Sequence, residues 1–254
     1  MRFIDLCISA SCAGDDSMLE MIQRVGYNVV AFNTTVAFED FPSHKPADFD
    51  SIRQKYAAKD IIALSRLTVV VEDDIGSVRP ASYTSMLNRY DIVAARPFSE
   101  QALRQCIDTL PCDLISLPLG SSRSMFKVKK ETVRLAVQKK LFFEVQYCDS
   151  IQSRDHLATQ IANIESVGFC TRGKGFIVSS GAANPLRLRR PRDLVHLFKY
   201  IGLNSSNMNE FQSSSPAKVL DHTVARRAHM GVIRMVGKTG DEAEPKGGKR
   251  ARIV

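Results

Sequence analysis

Tryptophan is absent from the chain, and only 7% of its residues are aromatic. Base stacking on unpaired nucleic acid relies on aromatic platforms, so stacking of single strands is not an expected activity. The six cysteines (Cys7, Cys12, Cys106, Cys112, Cys148 and Cys170) form no C-x-x-C pair. With no second cysteine pair and no His-x-His to complete a zinc pattern, buried reduced thiols are the expected state. No apolar run approaches the length of a membrane span. Met1-Arg2-Phe3-Ile4-Asp5 puts charge where a secretory leader needs its apolar core, so a soluble intracellular protein is expected. The five histidines (His44, His156, His196, His222 and His229) all fall in expected loops or helices. A metal hydrolase built on a barrel needs several of them, with carboxylates, at strand ends. Ser179 and Ser180 follow a strand, but no G-x-S-x-G elbow precedes them and no His–Asp relay is visible.

What the chain has in quantity is positive charge, unevenly placed. Its 254 residues are 44% hydrophobic and 24% charged, enough for one large α/β domain with a sizeable core. Residues 1–120 carry 11 basic and 16 acidic side chains, residues 121–192 carry 14 and 5, and residues 193–254 carry 10 and 6. The middle third is thus strongly basic within a net charge of +8, which suits a polyanionic partner better than a small neutral substrate. Between Ser166 and Arg192 there are six cations (Arg172, Lys174, Arg187, Arg189, Arg190, Arg192) and no acid. The segment reads as a strand at Phe176-Ile177-Val178, a small-residue turn, and a helix that opens with arginines. A helix N-terminus already carries partial positive charge, so arginines there are unfavourable unless an anion occupies the site.

Short apolar runs alternate with amphipathic stretches along the chain. Strands are expected at Arg2–Ser9, Asn28–Thr35, Leu67–Glu72, Asp91–Arg96, Asp113–Leu119, Leu141–Tyr147 and Phe176–Ser180. Helices are expected near Ser17–Val25, Ser82–Arg89, Ser99–Thr109, Lys130–Lys140, Arg154–Val167, Pro191–Ile201 and Pro216–Met230. Phe38–Lys59 reads as an insertion holding a loop and a short helix, and residues 204–215 as a polar surface linker. Seven β→α repeats imply a parallel sheet. Regular spacing and the lack of a Gly-rich dinucleotide turn favour a closed (β/α) barrel of seven or eight parallel strands over an open doubly wound sheet. The barrel domain is expected over residues 1–236. Residues 237–254 form a basic tail that is expected to be disordered, ending in Lys246-Gly247-Gly248-Lys249-Arg250-Ala251-Arg252.

In such a barrel, the loops after the strands share one rim. Arg123, Lys127, Lys129 and Lys130 follow the fifth strand, and Arg187, Arg189, Arg190 and Arg192 follow the seventh. Together they form a candidate ledge for phosphates, with Arg226 and Arg227 of the last helix as a third group. The predominance of arginine in the second cluster favours bidentate phosphate contacts. Glu72, Asp73 and Asp74 form the one acidic cluster at a strand end and read as a solvated turn or a partner contact. Glu144 and Gln146 alternate on one strand and point into the barrel, where a buried carboxylate requires a partner such as an arginine.

Phe143-Glu144-Val145-Gln146-Tyr147, Phe176-Ile177-Val178-Ser179-Ser180-Gly181-Ala182 and Leu188-Arg189-Arg190-Pro191-Arg192-Asp193-Leu194 resemble one known family. So do Phe3-Ile4-Asp5-Leu6, Asn28-Val29-Val30-Ala31-Phe32-Asn33 and Val224-Ala225-Arg226-Arg227. The family is that of the protein subunits of about thirty kilodaltons in nuclear ribonuclease P and ribonuclease MRP. The resemblance implies a TIM-barrel-like fold related to the polymerase-and-histidinol-phosphatase phosphoesterases. Those relatives carry a metal-binding Asp-Leu-His-x-His after the first strand; here it reads Asp5-Leu6-Cys7-Ile8-Ser9, without either histidine. The resemblance therefore implies a non-catalytic RNA-binding subunit with no cofactor, no metal and no membrane association. It also implies a place in the nucleus and nucleolus, beside ribonuclease P RNA, ribonuclease MRP RNA, precursor tRNA and a small ferredoxin-like partner subunit. The rival reading is a divergent metal-dependent phosphoesterase using Asp5, Glu72 and Glu144.

Overall fold

The computed structural model describes residues 2–72, 75, 84–119, 126–150, 154–171, 175–200 and 208–229. Seven strands form one parallel sheet in chain order: β1 (Ile4–Ser9), β2 (Val29–Ala37), β3 (Ile62–Val71), β4 (Ile92–Pro97), β5 (Leu114–Ser116), β6 (Phe142–Gln146) and β7 (Phe176–Ser179). The helices are α1 (Asp16–Val25), α2 (Asp50–Ala57), α3 (Thr84–Leu87), α4 (Glu100–Thr109), α5 (Lys130–Gln138), α6 (Tyr147–Ser150), α7 (Arg154–Thr171), α8 (Pro191–Tyr200) and α9 (Ser214–His229).

The sheet curls until its last strand meets its first. Gly181 N–H donates to Cys7 O and Ser9 N–H to Ala182 O, each at 2.8 Å. This clasp is built by the small-residue turn after β7. Ser180 Oγ donates to Cys7 O, and Ser180 N–H donates to the Asp5 carboxylate. Gly181 has φ +67°, and a β-carbon there would lie 3.0 Å from Gln146 Oε1, so glycine is required on both counts. The turn therefore closes a seven-stranded barrel, as the alternation of elements implies.

Strand periodicity divides the barrel interior into two layers. Near the strand N-termini the inward side chains are apolar: Ile4, Leu6, Val29, Ala31, Ile92, Ala94, Leu114 and Ile177 form one cluster. Helix α9 closes this end, packing Ala217, Val219 and Leu220 against that cluster. Near the C-terminal ends the inward residues are polar. A larger apolar layer, including Phe32, Leu67, Val69, Phe143 and Phe176, lies between the strands and the surrounding helices.

Several expected boundaries shift. Strand β3 begins at Ile62, five residues before the expected Leu67, and so takes in Ser65 and Arg66. Strand β5 is only Leu114–Ser116, although Leu117 and Leu119 beyond it stay buried. Part of the expected surface linker is instead a 3-10 turn, Met208–Gln212, with Phe211 and Gln212 buried. Phe211 joins the outer apolar layer, and Gln212 Nε2 donates to the buried Tyr27 hydroxyl. All six cysteines are free, and all but Cys170 are fully buried. The tail and Arg172, Lys174, Asp73 and Asp74 lie outside the described residues.

Candidate nucleic-acid interface and the polar barrel interior

The upper barrel layer is organised by one ion pair. Arg66 on β3 donates from Nη1 to Glu144 Oε1 and from Nη2 to Glu144 Oε2, at 2.5 and 2.6 Å, with both side chains fully buried. Arg66 Nη1 also reaches Leu6 O, and its Nε reaches Thr68 Oγ1. Glu144 further accepts from Ser179 Oγ and Gln146 Nε2. Burial works to raise the Glu144 pKa, but the Arg66 charge and these donors outweigh it and bring it down to about 2. Burial pushes the Cys7 thiol up to about 12, so it is no nucleophile. Glu144, Ser179 and Ser180 hold strands together and are not poised for chemistry.

The rival reading needs Asp5, Glu72 and Glu144 free to take a metal. Asp5 accepts from the backbone N–H of Cys7 and of Ser180, Glu144 is held by Arg66, and Glu72 is exposed at the end of β3. Among the described residues no group of three or more His, Cys, Asp or Glu side chains is placed to hold a metal ion.

The basic ledge lies on the rim above this layer. Lys127, Lys129 and Lys130 are exposed between β5 and the first turn of α5. Arg187, Arg189, Arg190 and Arg192 are exposed between β7 and the first turn of α8, where Pro191 opens the helix. Lys127, Lys129, Arg187, Arg190 and Arg192 have no carboxylate partner among the described residues. Arg123 lies outside the described residues.

The arginine loop is gripped from below. Tyr147 Oη accepts from Arg189 N–H at 3.1 Å, and Tyr27 Oη donates to Arg189 O at 3.3 Å. Burial pushes both phenols above their ordinary pKa, so both remain neutral hydroxyls. Leu188 is buried beneath the loop, Asn184 caps its 3-10 turn, and Arg189 Nη1 donates back to Leu186 O and Leu188 O. The backbone that carries the cations is thereby fixed before any ligand arrives.

The third expected group is corrected. Arg226 is buried: its Nε donates to both Asp113 oxygens, and its Nη atoms reach carbonyls of Leu87, Tyr90 and Asp91. Asp113 and Asp91 precede β5 and β4, so this cluster sits at the end of the barrel opposite the ledge. Arg227 is paired there with Asp91 at 3.0 Å. Both arginines fasten α9 to the barrel floor, and a buried, fully engaged guanidinium has nothing left for a phosphate. Residue reasoning also missed Arg66, Arg96, Tyr27 and Tyr147. The signal for Arg66 was present, since Glu144 required a cationic partner; no local pattern marks the other three.

Fold and site together define an α/β barrel whose interior is braced by a structural ion pair and whose C-terminal rim carries cations without a carboxylate partner among the described residues. The family model described as RNase P subunit p30 matches residues 2–228. The chain belongs to that family. It is 26% identical over 242 residues to ribonuclease P protein subunit p30 of Mus musculus, covering 92% of this chain and 90% of that protein. It is 26% identical over 233 residues to the ribonuclease P/MRP protein subunit RPP1 of Saccharomyces cerevisiae, covering 88% of this chain and 77% of that protein. Against protein GAMETOPHYTE DEFECTIVE 1 of Arabidopsis thaliana it is 29% identical over 172 residues, 67% of this chain but only 29% of that longer protein. A chain in the cryo-EM structure of archaeal ribonuclease P with mature tRNA shares the fold, with TM-score 0.66, 15% identity, and coverage of 95% of this chain and 100% of that one.

Proposed function

We propose that this chain is a non-catalytic, RNA-binding protein subunit of ribonuclease P, the complex in which an RNA matures the 5′ end of precursor tRNA, and of ribonuclease MRP, which processes ribosomal RNA. The observation that carries the reading is the sorting of its cations. Lys127, Lys129, Arg187, Arg190 and Arg192 are exposed on one rim with no carboxylate partner among the described residues, whereas Arg53, Arg66, Arg226 and Arg227 are each held by an acid. Unpaired cations on a rigid rim lower phosphate repulsion and release counterions on binding. Family membership supports the same reading, as do relatives named for both complexes. Its partners are then the ribonuclease P and MRP RNAs, precursor tRNA within the holoenzyme, and other protein subunits, including a small ferredoxin-like one. Its place is the nucleus and nucleolus. The phosphoesterase alternative is disfavoured because its proposed ligand Glu144 is locked to Arg66.

The test is affinity purification of the tagged protein from native extract with sequencing of the bound RNA. Ribonuclease P or MRP RNA is expected, and it should be lost in a folded Arg187→Glu/Arg190→Glu/Arg192→Glu variant. Purified with that RNA, the variant should bind more weakly, with a salt dependence shallower by roughly 0.7–0.9 per lost phosphate contact. RNA retained in full by the variant would make attachment protein-mediated, and no enriched RNA would sink the reading.

A further inference from the structure

Among the described residues, one cation of the barrel interior has no acidic partner. Arg96 lies at the C-terminal end of β4, on the inward face with Ile92 and Ala94, and connects through Ser116 and Gln146 to Glu144. It is only partly exposed, and its Nη2 donates to Ser116 Oγ at 3.1 Å. Its Nε is buried with no hydrogen-bond partner, and no carboxylate pairs with it among the described residues. A buried, unsatisfied guanidinium N–H is costly and requires an explanation, of which a missing ion is one. The inward carboxylate of this layer cannot supply one: Glu144 is engaged by Arg66, Ser179 and Gln146, while Asp5 alternates with the inward Ile4 and Leu6 and so belongs to the outer face of β1.

Ser116 adds a second unused donor. Its Oγ accepts from both Arg96 Nη2 and Gln146 Nε2, so its own proton is directed elsewhere, and no acceptor for it lies among the described residues. The residue is fully buried. On a planar guanidinium, Nε–H and Nη2 share the side edge that grips two oxygens of a phosphate or carboxylate. Here that edge faces Ser116, at the barrel end where (β/α) barrels hold their ligands. The flanking rim is cationic, which favours an oxyanion of high charge.

We propose that the C-terminal mouth of the barrel binds one phosphate-class oxyanion, held by the Arg96 Nε/Nη2 edge and the Ser116 hydroxyl. The occupant is either free orthophosphate or a phosphate group of bound RNA. The site does not depend on the RNA reading, because its primary test contains no RNA.

Thermal unfolding of the full chain is followed in inorganic phosphate and in chloride at matched ionic strength. At phosphate tenfold above its dissociation constant, the wild type should melt about 3–5 °C higher. Arg96→Gln should abolish this response, and Ser116→Ala, which keeps every charge, should weaken it. Arg190→Gln/Arg192→Gln should retain it. No response in the wild type, or an equal one in Arg96→Gln, overturns the site; loss of the response in the rim variant alone moves phosphate to the ledge and also overturns it. Repeating the titration on the RNA-bound protein separates the sources: a response abolished by RNA identifies an RNA phosphate in the mouth, and a persisting one identifies free phosphate.

Discussion

Glu144 and Arg66 illustrate how a fully buried charge is tolerated: every oxygen and nitrogen that faces the interior has a partner. Removing one partner strands the other. Glu144→Gln should cost about 3–5 kcal/mol in urea unfolding, while Arg66→Met/Glu144→Leu should recover much of that loss. If the single substitution were as stable as the double, the pair would not be the organising contact of the layer. Asp5 behaves oppositely. Burial raises its pKa from 3.8 to about 6, against the opposing pull of the Ser180 and Cys7 N–H groups, and its Oδ2 has no partner. The fold thus prefers the protonated acid; that stabilisation is complete below pH 3.8 and lost as pH rises through about 6. Relative to Asp5→Asn, the wild type should gain about 2 kcal/mol between pH 7.5 and 4.5. Glu144 titrates in both proteins and cancels from the difference, so a flat difference would place Asp5 at an ordinary pKa.

At the level of elements, the Arg187–Arg192 segment gains its fixed shape from the connection between α1 and β2, the start of α6 and the last 3-10 turn, all far away in sequence. Tyr147 Oη holds the Arg189 N–H, Tyr27 Oη the Arg189 carbonyl, and Gln212 of the last 3-10 turn holds Tyr27. Tyr147→Phe keeps the ring and removes the acceptor for one N–H, a loss of roughly 1 kcal/mol. RNA affinity should fall about fivefold through loop loosening, with the salt dependence unchanged because no phosphate contact is removed; a shallower slope would mean that a cation had moved out of reach. The elements themselves were largely legible. Ser99, an expected helix start, does cap α4 by accepting from Ala102 N–H, and Gly26 ends α1 at φ +93°. The start of β3 was not legible, because Ser65 and Arg66 are polar. Their place in a strand depends on Asp91, which accepts from Ser65 N–H and Oγ just before β4, and on Glu144 of β6, and both are distant in sequence. The buried turn at Phe211–Gln212 was hidden for the same reason: its polar sequence is satisfied by a distant tyrosine.

Across the whole molecule, the two ends of the barrel use arginine for opposite purposes, and sequence alone does not separate them. Arg190 and Arg226 each belong to a basic doublet, Arg189-Arg190 and Arg226-Arg227, but only Arg226 meets a carboxylate that precedes a strand, that of Asp113. Asp113 and Asp91 also take Val93 N–H, Ser65 N–H and His222 or Arg53, so the floor is a closed network linking β3, β4, β5, α2 and α9. Its loss should be felt as stability and its counterpart's loss as binding. Arg226→Ala removes a buried donor set, leaves Asp113 short of its cation and frees α9 from the apolar floor. Urea unfolding should show a loss of about 3 kcal/mol or more. The fraction that remains folded should bind RNA with the wild-type salt slope, since no phosphate contact is touched. Arg190→Glu/Arg192→Glu should do the reverse: a change in stability within about 0.5 kcal/mol, because both side chains are exposed and unpaired, and a clear drop in slope. Each variant controls for the other. A slope change in Arg226→Ala would place RNA at the floor as well as the rim, whereas a stability loss in the rim variant would show its arginines to be part of the fold. With neither crossing over, the polarity of the barrel follows from where its arginines find carboxylates: Asp113 and Asp91 at the strand starts pin the last helix, and the rim cations without a carboxylate partner among the described residues stay free for phosphate.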